Sequence, residues 1–362
     1  MGAACLGVTN GTIADPKRDI YFFIPDVVLG ASEAMRRREF IAFVGSTAVA
    51  WSSAARAQQP ALPVVGVVSG RSRDADARNV TAFYKGLGEA GYVDGQNVTV
   101  EYNWVEGHYD RLPEVMADLV RRQVAVIATT GNIATALAAK AATATIPIVF
   151  AVGSNPVKLG LVASLARPGG NATGINDFLT EVDAKRLRLL HDMVPKAARV
   201  AVLVNPANAA SAEGALQGTK DAAAATGVQL RVLNATTVGE IDAAFASFAQ
   251  ERPDALFVAA DAFFNSRGAQ FAILTARERI ASAFSDRAMV AAGGLMSYGA
   301  DLAEIAHQVG LYTGNILKGA KPADLPVQQS TKFDFAINLQ TARVLGIEVP
   351  SGVLSIADEV IE

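Results

Sequence analysis

Short apolar runs alternate with amphipathic segments of helical length along most of this chain, and that alternation is the strongest constraint on its fold. The first run is PVVGVVSG, from Pro63 to Gly70, and VTAFYKGLGEAGYVDG, from Val80 to Gly95, has the pattern of a helix that ends at a glycine. Strands buried on both faces are apolar throughout, and crossover helices usually join parallel strands. The sequence therefore predicts an α/β fold in which helices cover both faces of parallel sheets.

The alternation occurs in two successive series, which predicts two Rossmann-like lobes of similar size. In the first series the predicted strands lie within residues 63–70, 98–107, 124–131 and 146–156, and the predicted helices within 80–95, 109–123, 132–145 and 157–170. In the second series the predicted strands lie within 199–208, 228–235, 254–264 and 289–299, and the predicted helices within 179–195, 211–227, 241–253 and a segment ending at Arg277.

The N-terminal part of the chain has the three regions of a secretory signal peptide. The twin-arginine pair Arg37 and Arg38 is followed by an apolar run from Ile41 to Trp51 and then by the triplet Ala55, Arg56, Ala57. That run is shorter than the roughly 20 residues that span a bilayer, so a signal is favoured over a membrane helix, and a buried helix is the alternative. We predict a signal peptide at 35–57, cleaved near Ala57, and a non-native extension at 1–34.

The net charge and the cysteine count limit the classes of partner and the cellular compartment that suit this chain. The formal net charge of −3 gives no basic footprint, which argues against nucleic acid as a partner. The single cysteine, Cys5, falls in the predicted extension, so the predicted mature chain has no thiol, as suits an oxidising compartment. We therefore expect a periplasmic protein.

Small hydroxyl and amide side chains follow the predicted strands at their carboxyl ends, where ligands bind on sheets of this kind. Such groups hydrogen-bond a small polar ligand, and helix N-termini beside them favour a carboxylate. The candidate ligand-binding residues of the first series are Ser69, Arg71, Thr130, Asn132, Ser154 and Asn155. Those of the second series are Asn205, Asn208, Asp261, Phe263, Ser297 and Tyr298.

Asp261 ends the apolar run ALFVAA, so its carboxylate must be either solvated or paired. It is predicted either to cap the helix that starts at Ala262 or to receive a ligand ammonium group. Asn155 and Asn205 each precede a proline after a strand, which suits turn formation as well as ligand binding.

Other motifs favour structural roles. GLGEAG, from Gly86 to Gly91, spells a dinucleotide fingerprint, but it ends a helix instead of following a strand, which favours helix termination and tight packing. His191 and His307 lie in amphipathic helices, and His108 lies in a polar loop. The sequence has no G-x-S-x-G elbow and no His/Asp/Glu spacing typical of a metal site, so we expect neither catalysis nor a metal or other cofactor.

Several longer segments resemble the ABC-transporter substrate-binding proteins of the group that includes tryptophan- and phenylalanine-binding members. The resemblance covers essentially residues 63–362. The segments that carry it are GLGEAGYVDGQNVTVEYNWVEGHYDRLPEVMADLV, AAKAATATIPIVFAVGSNPVKLGLVASLARPGGNATGIN, RVAVLVNPAN, GGLMSYGADL and ILKGAKPADLPVQQSTKFDFAINLQTARVLGIEVP.

This resemblance implies a type I periplasmic-binding fold of two lobes joined by three crossovers, near 174–176, 296–298 and 326–330. The implied lobes are 58–175 with 297–326 and 176–296 with 327–362. Family ligand contacts fall in the loops that hold these candidates. Asn205, Asn208 and Asp261 would lie on the second lobe, and the first would hold Ser69, Thr130, Asn132, Ser154 and Asn155. The aromatic residues Phe263 and Tyr298 would line a side-chain pocket.

The resemblance also implies a function. A small ligand, an amino acid or related carboxylate, would bind between the lobes and stabilise their closed state. The protein would be a monomer that delivers the ligand to a membrane permease and its ATPase. Two other classes stay open: a ligand-sensing domain, which the predicted export signal disfavours, and a two-lobed enzyme, for which no nucleophile, base or cofactor site stands out.

Overall fold

The computed structural model describes residues 61–130, 132–177 and 179–362. The predicted extension, the predicted signal peptide and Cys5 lie outside these residues. Within them, no helix combines the length and the apolar character needed to cross a membrane.

Strands and helices alternate through both halves of the described chain. The strands are β1 (Val64–Ser69), β2 (Thr99–Trp104), β3 (Val126–Thr130), β4 (Ile148–Val152), β5 (Ala172–Asn176), β6 (Arg199–Val204), β7 (Gln229–Asn234), β8 (Ala255–Val258), β9 (Ala281–Phe284), β10 (Met296–Ala300), β11 (Gln328–Gln329), β12 (Phe333–Asn338) and β13 (Glu359–Ile361). The helices are α1 (Ala77–Glu89), α2 (Leu112–Arg121), α3 (Ile133–Ala142), α4 (Leu179–Met193), α5 (Ala209–Thr226), α6 (Val238–Ala246), α7 (Ala262–Asn265), α8 (Gly268–Glu278), α9 (Arg287–Ala291), α10 (Leu302–Leu317), α11 (Leu339–Leu345) and α12 (Ser351–Leu354).

The strands form two sheets, one for each lobe. The first sheet has the order β11-β5-β4-β3-β1-β2, with every pair parallel. The second has the order β13-β12-β10-β9-β8-β6-β7, in which the β10–β12 pair is antiparallel and the others are parallel. The predicted α/β fold with two mostly parallel sheets is confirmed.

The chain passes between the lobes after β5, after β10 and after β11. Helix α4, which follows β5, packs against α5 and β10 of the second lobe, whereas α10 returns to pack on α1, β3 and β4 of the first. The predicted borders give residues 297–300 to the first lobe and 328–329 to the second. Here residues 297–300 pair with β12 in the second sheet, and residues 328–329 pair with β5 in the first. We propose lobe borders after Asn176, Ala300 and Gln329.

Two local predictions were wrong. Residues 157–170 form turns instead of a helix, because the chain reverses at Gly160, whose φ is +72°, and Leu161 and Val162 then turn into the core of the first lobe. The segment predicted as a strand at 289–299 contains the end of α9 and most of β10, and β9 before it was missed. Both β8 and β9 are only 4 residues long, which gives little periodic signal.

The glycines of GLGEAG serve the packing of α1 on α10. A Cβ at Gly86 would overlap the backbone oxygen of His307, and one at Gly310 would overlap that of Phe83. The two helix backbones are therefore in direct contact through paired glycines.

We predict that Gly86→Ala lowers the free energy of unfolding by about 1–3 kcal/mol, because the added methyl group forces α1 and α10 apart. Gly88→Ala is the matched control on the same helix, since nothing lies within 4 Å of a Cβ there. The control gains helix propensity and should stabilise by about 0.5–1 kcal/mol. Urea unfolding measures both, and equal effects of the two variants would contradict this account of the helix interface.

Candidate functional site

The carboxyl ends of both sheets face a shared cavity of about 640 Å³ free of protein atoms, part of it open to solvent. Most of the lining residues lie at or shortly after the carboxyl end of a strand, as the strand-end rule for parallel sheets requires. The first lobe contributes Arg71, Asn132, Ile133, Ala151, Gly153 and Leu302, the second contributes Val182, Asn208, Ser211, Ala260, Asp261, Asn265, Ser285, Gly299 and Ala300, and Asp177 lies in the crossover between them.

Asp261 is the centre of a hydrogen-bond network that joins the two lobes. Its Oδ1 accepts from Asn205 Nδ2 at 2.9 Å and from Phe263 N at 3.0 Å, which caps α7. Its Oδ2 accepts from Asn208 Nδ2 at 3.0 Å and from Tyr109 Oη of the first lobe at 2.9 Å. Tyr109 in turn accepts from Asn132 Nδ2 at 2.6 Å.

These contacts favour the capping role of Asp261 over the ammonium-binding role. An ionised carboxylate has about four lone-pair sites, and four donors of the protein already occupy them. Burial raises the pKa of Asp261, while the donors from Asn205, Asn208 and Tyr109 oppose the rise. Burial and the neighbouring Asp261 raise the pKa of Tyr109, so its phenol is a neutral donor.

A buried ion pair closes one side of the cleft. Arg71 Nη2, on the first lobe, lies 2.6 Å from Asp286 Oδ2 on the second, and Arg71 Nε lies 3.7 Å from Asp76. Burial opposes ionisation of Asp286, but Arg71 and the N–H of Ala288 hold its pKa below the usual value. Close beside it, Ser72 N donates to Ser266 Oγ across the cleft at 3.0 Å.

Gly107 allows the lobes to approach at a second point. Its φ is +83°, and a Cβ there would lie 2.6 Å from Phe263 Cβ on the second lobe. A larger residue would be strained at this φ and would hold the lobes apart. Together with the ion pair, this contact shows the lobes in a closed arrangement.

Asp177 has a different environment from the other acids of the cavity. Its Oδ1 is buried and has no hydrogen-bond partner. Burial, with the charge of Asp183 in addition, raises the pKa of Asp177 to about 7. Arg186, the cation beside these acids, is already paired with Asp183 at 2.5 Å. Asp177 is therefore a cavity-lining carboxylate whose charge the described residues leave without a partner.

The structure separates the predicted site residues into three groups. Arg71, Asn132, Asn208 and Asp261 line the shared cavity, and Asn205 supports it from behind through Asp261. Ser154 and Asn155 line a neighbouring, more open space between the loop after β4 and α5. The remaining predicted residues are buried away from the lining: Ser69, Thr130, Phe263, Ser297 and Tyr298.

The two aromatic candidates pack inside the second lobe. Phe263 belongs to a cluster with Phe264 and Phe271, and the Arg267 guanidinium lies over its ring. Ser297 and Tyr298 lie within β10 instead of in a loop after it, and the Tyr298 ring stacks on Phe333. Neither ring lines the cavity, so their predicted ligand contacts are not supported by this geometry.

Sequence reasoning missed five polar residues that the structure places at the site. Asp177, Ser211, Asn265 and Ser285 line the cavity, and Tyr109 joins its two sides through Asp261. Asp177 directly follows the predicted crossover at Asn176, so the strand-end rule applied to β5 would have found it. Ser285 follows β9, which was not predicted, and Tyr109 follows β2 only after a turn.

The fold and the shared cavity define a two-lobed α/β binding protein of the type I periplasmic class. The model of the family described as ABC transporter substrate binding protein matches residues 62–361. The chain therefore belongs to this family.

Characterised relatives agree with the assignment. A tyrosine-binding protein of Clostridioides difficile (strain R20291) is 26% identical over 266 residues, which is 74% of this chain and 76% of that protein. The ABC domain of Streptococcus pneumoniae in complex with L-Trp is 25% identical, with 83% of this chain and 100% of that chain covered and a TM-score of 0.75.

A third structure bears on the conformation. The ligand-free, open form of a substrate-binding protein from Clostridium difficile is 25% identical over 83% of this chain and 99% of that chain, but its TM-score is 0.58. At equal identity, the L-Trp complex superposes better on this chain than the ligand-free, open structure does.

We predict that Asp261→Ala lowers the free energy of unfolding by about 2 kcal/mol even without ligand, since it removes a helix cap and leaves buried donors without an acceptor. The control is Asp221→Ala on the exposed face of α5, which should change stability by less than about 0.5 kcal/mol. Thermal and urea unfolding measure both. Unchanged stability of Asp261→Ala would contradict the capping role.

Proposed function

We propose that this protein is the substrate-binding component of an ABC importer and that it binds an amino acid or a related amine-bearing carboxylate in the shared cavity. The observation that carries the proposal is the cavity itself, which both lobes line at the carboxyl ends of their strands. The tyrosine-binding relative and the L-Trp complex support an amino acid as the ligand class.

The lining suits a zwitterionic ligand. Acidic and amide groups, among them Asp177, Asn132 and Asn208, offer acceptors and donors to charged ends of a ligand, while Ile133, Val182 and other small apolar residues contact its carbon atoms. Because the two lobes contribute different parts of this surface, a ligand makes all its contacts only when the lobes are closed. Its binding free energy therefore shifts the population toward the closed state.

A permease would recognise the closed arrangement of the two lobes. The Arg71–Asp286 pair and the Ser72–Ser266 hydrogen bond form between the lobes, so they exist only when the lobes approach. The outer faces of the lobes change their relative position as these contacts form. In this proposal the protein is exported to the periplasm with removal of its signal peptide near Ala57, acts as a monomer and presents the closed form to the permease and its ATPase.

Two observations favour binding over catalysis. Among the described lining residues there is no histidine or cysteine, and the serines Ser211 and Ser285 lack a neighbouring base. Of the other titratable groups of the lining, Arg71 and Asp261 are held in contacts that serve closure and capping, and Asp177 has no nucleophile paired with it.

We predict a saturable rise in melting temperature when the purified protein is titrated with one or a few α-amino acids, because a ligand that binds only the folded state stabilises it by mass action. At 100 times the Kd the stabilisation is about 2.7 kcal/mol. A differential scanning fluorimetry screen of the twenty amino acids, with sugars and purines as comparison compounds, measures it. Stabilisation by a sugar or purine and by none of the amino acids would contradict the proposal.

A further inference from the structure

Asp177 occupies the point where the first lobe passes into the second. It follows β5 directly, and its N–H donates to Val152 O of β4 at 3.1 Å, which fixes its backbone to the first sheet. Its side chain lines the shared cavity. Oδ1 of this carboxylate is out of contact with solvent and has no hydrogen-bond partner.

Helix α4, which follows Asp177, offers no free positive charge to balance the carboxylate of Asp177. On α4, Arg186 Nη2 pairs with Asp183 Oδ1 at 2.5 Å, and Arg186 Nη1 donates to Tyr298 O at 3.1 Å. The same guanidinium lies 4.4 Å from the centre of the Phe257 ring. With both acids ionised, the group formed by Asp177, Asp183 and Arg186 carries one excess negative charge.

The charges on the other walls of the cavity are also already engaged. Arg71 is held by Asp286 and Asp76, and Asp261 accepts from four donors of the protein. Asp177 is partly exposed as a residue, but its Oδ1 is buried, and a buried carboxylate oxygen without a partner is unfavourable unless the group becomes protonated or gains a counter-charge. In the described part of the chain, no side chain supplies that counter-charge to Asp177.

We propose that Asp177 is the residue that receives the ligand's ammonium group, and that it makes this protein select amines over otherwise identical ligands without a positive charge. This inference rests on the proposed function and narrows it from a ligand class to a specific recognition contact. The ammonium group of the ligand supplies the positive charge that the group of Asp177, Asp183 and Arg186 lacks. Specificity for amines then arises from one carboxylate with a buried, unpartnered oxygen, which a cationic donor satisfies best.

The arrangement also predicts an unusual effect on stability. Asp177→Asn keeps the shape of the side chain and removes both the unpaired charge and its repulsion with Asp183. The ligand-free variant should therefore be at least as stable as the wild type, although it binds ligand less tightly. Residues selected for binding often carry such a cost in stability. If Asp177 had a purely structural role, the ligand-free Asp177→Asn variant would be less stable than the wild type.

The test compares full-length wild type, Asp177→Asn and Asp192→Asn by isothermal titration calorimetry at pH 8. Asp192→Asn is the matched control, since Asp192 is an exposed acid on α4, the helix that follows Asp177. The probes are the amino acid that gives the largest thermal shift and its α-hydroxy acid, in which a hydroxyl group replaces the amine. Melting temperatures without ligand are measured in parallel.

We expect Asp177→Asn to lose at least about 30-fold in affinity for the amino acid, as for loss of one partner of a buried ion pair. The affinity for the hydroxy acid should change by less than about threefold, and Asp192→Asn should match the wild type for both. Three results for Asp177→Asn would overturn the inference while the proposed function stands. They are an equal loss of affinity for both probes, an unchanged affinity for the amino acid, and a lowered melting temperature without ligand. A wild type that binds none of the twenty amino acids would overturn both.

Discussion

A carboxylate removed from water must be paired, and this constraint shapes the whole cleft. Three acids lie around the cleft between the two sheets, and each has a different set of partners. Asp286 is paired with Arg71 across the lobes, and Asp261 is surrounded by neutral donors from both lobes. Asp177, at the crossover, has no such partner among the described residues. The first two stabilise closure, and the third leaves a place for a ligand.

Closure in turn depends on shape as well as charge. The backbone of Gly107 passes so close to Phe263 that only glycine fits there, and the inward loops carry small residues such as Ser72 and Ser266. The lobes themselves are rigid by comparison. Helices α1 and α10 contact through Gly86 and Gly310, and each sheet has an apolar core on both faces. We therefore expect the motion between open and closed states to be concentrated in the three crossovers.

Much of the fold could be predicted from sequence because long parallel strands are continuous apolar runs. β1, β3, β4 and β6 were all placed by this signal. β9 was missed because four residues show no period, and the turns after β4 were taken for a helix because their apolar residues face the core at helix-like intervals. The antiparallel direction of β12 relative to β10 depends on which strands pair in the folded protein, and no local sequence pattern predicts it.

The site was predicted less completely, for a related reason. The strand-end rule found Arg71, Asn132, Asn208 and Asp261, since each follows a strand that was recognised. It could not tell a capping role from a ligand role for Asp261, because that choice depends on Tyr109, Asn205 and Asn208, which are distant in sequence. Asp177 looks like an ordinary loop acid in sequence. Only burial of its Oδ1 and the pairing of Arg186 with Asp183 distinguish it.

The central claim is that a ligand's ammonium group supplies the missing charge at Asp177, and proton release on binding tests it most directly. Burial and Asp183 raise the pKa of Asp177 to about 7, so near pH 6.5 much of the ligand-free protein carries a proton there. An ammonium group favours the ionised form, so binding must expel that proton. Calorimetric titration with the amino acid at pH 6.5, in two buffers of different ionisation enthalpy, counts the protons. The pKa of the neighbouring Asp183 is also raised, to about 6, so the account predicts release of a fraction of a proton per ligand by the wild type and clearly less by Asp177→Asn. Proton uptake by the wild type, or equal release by both proteins, would contradict it.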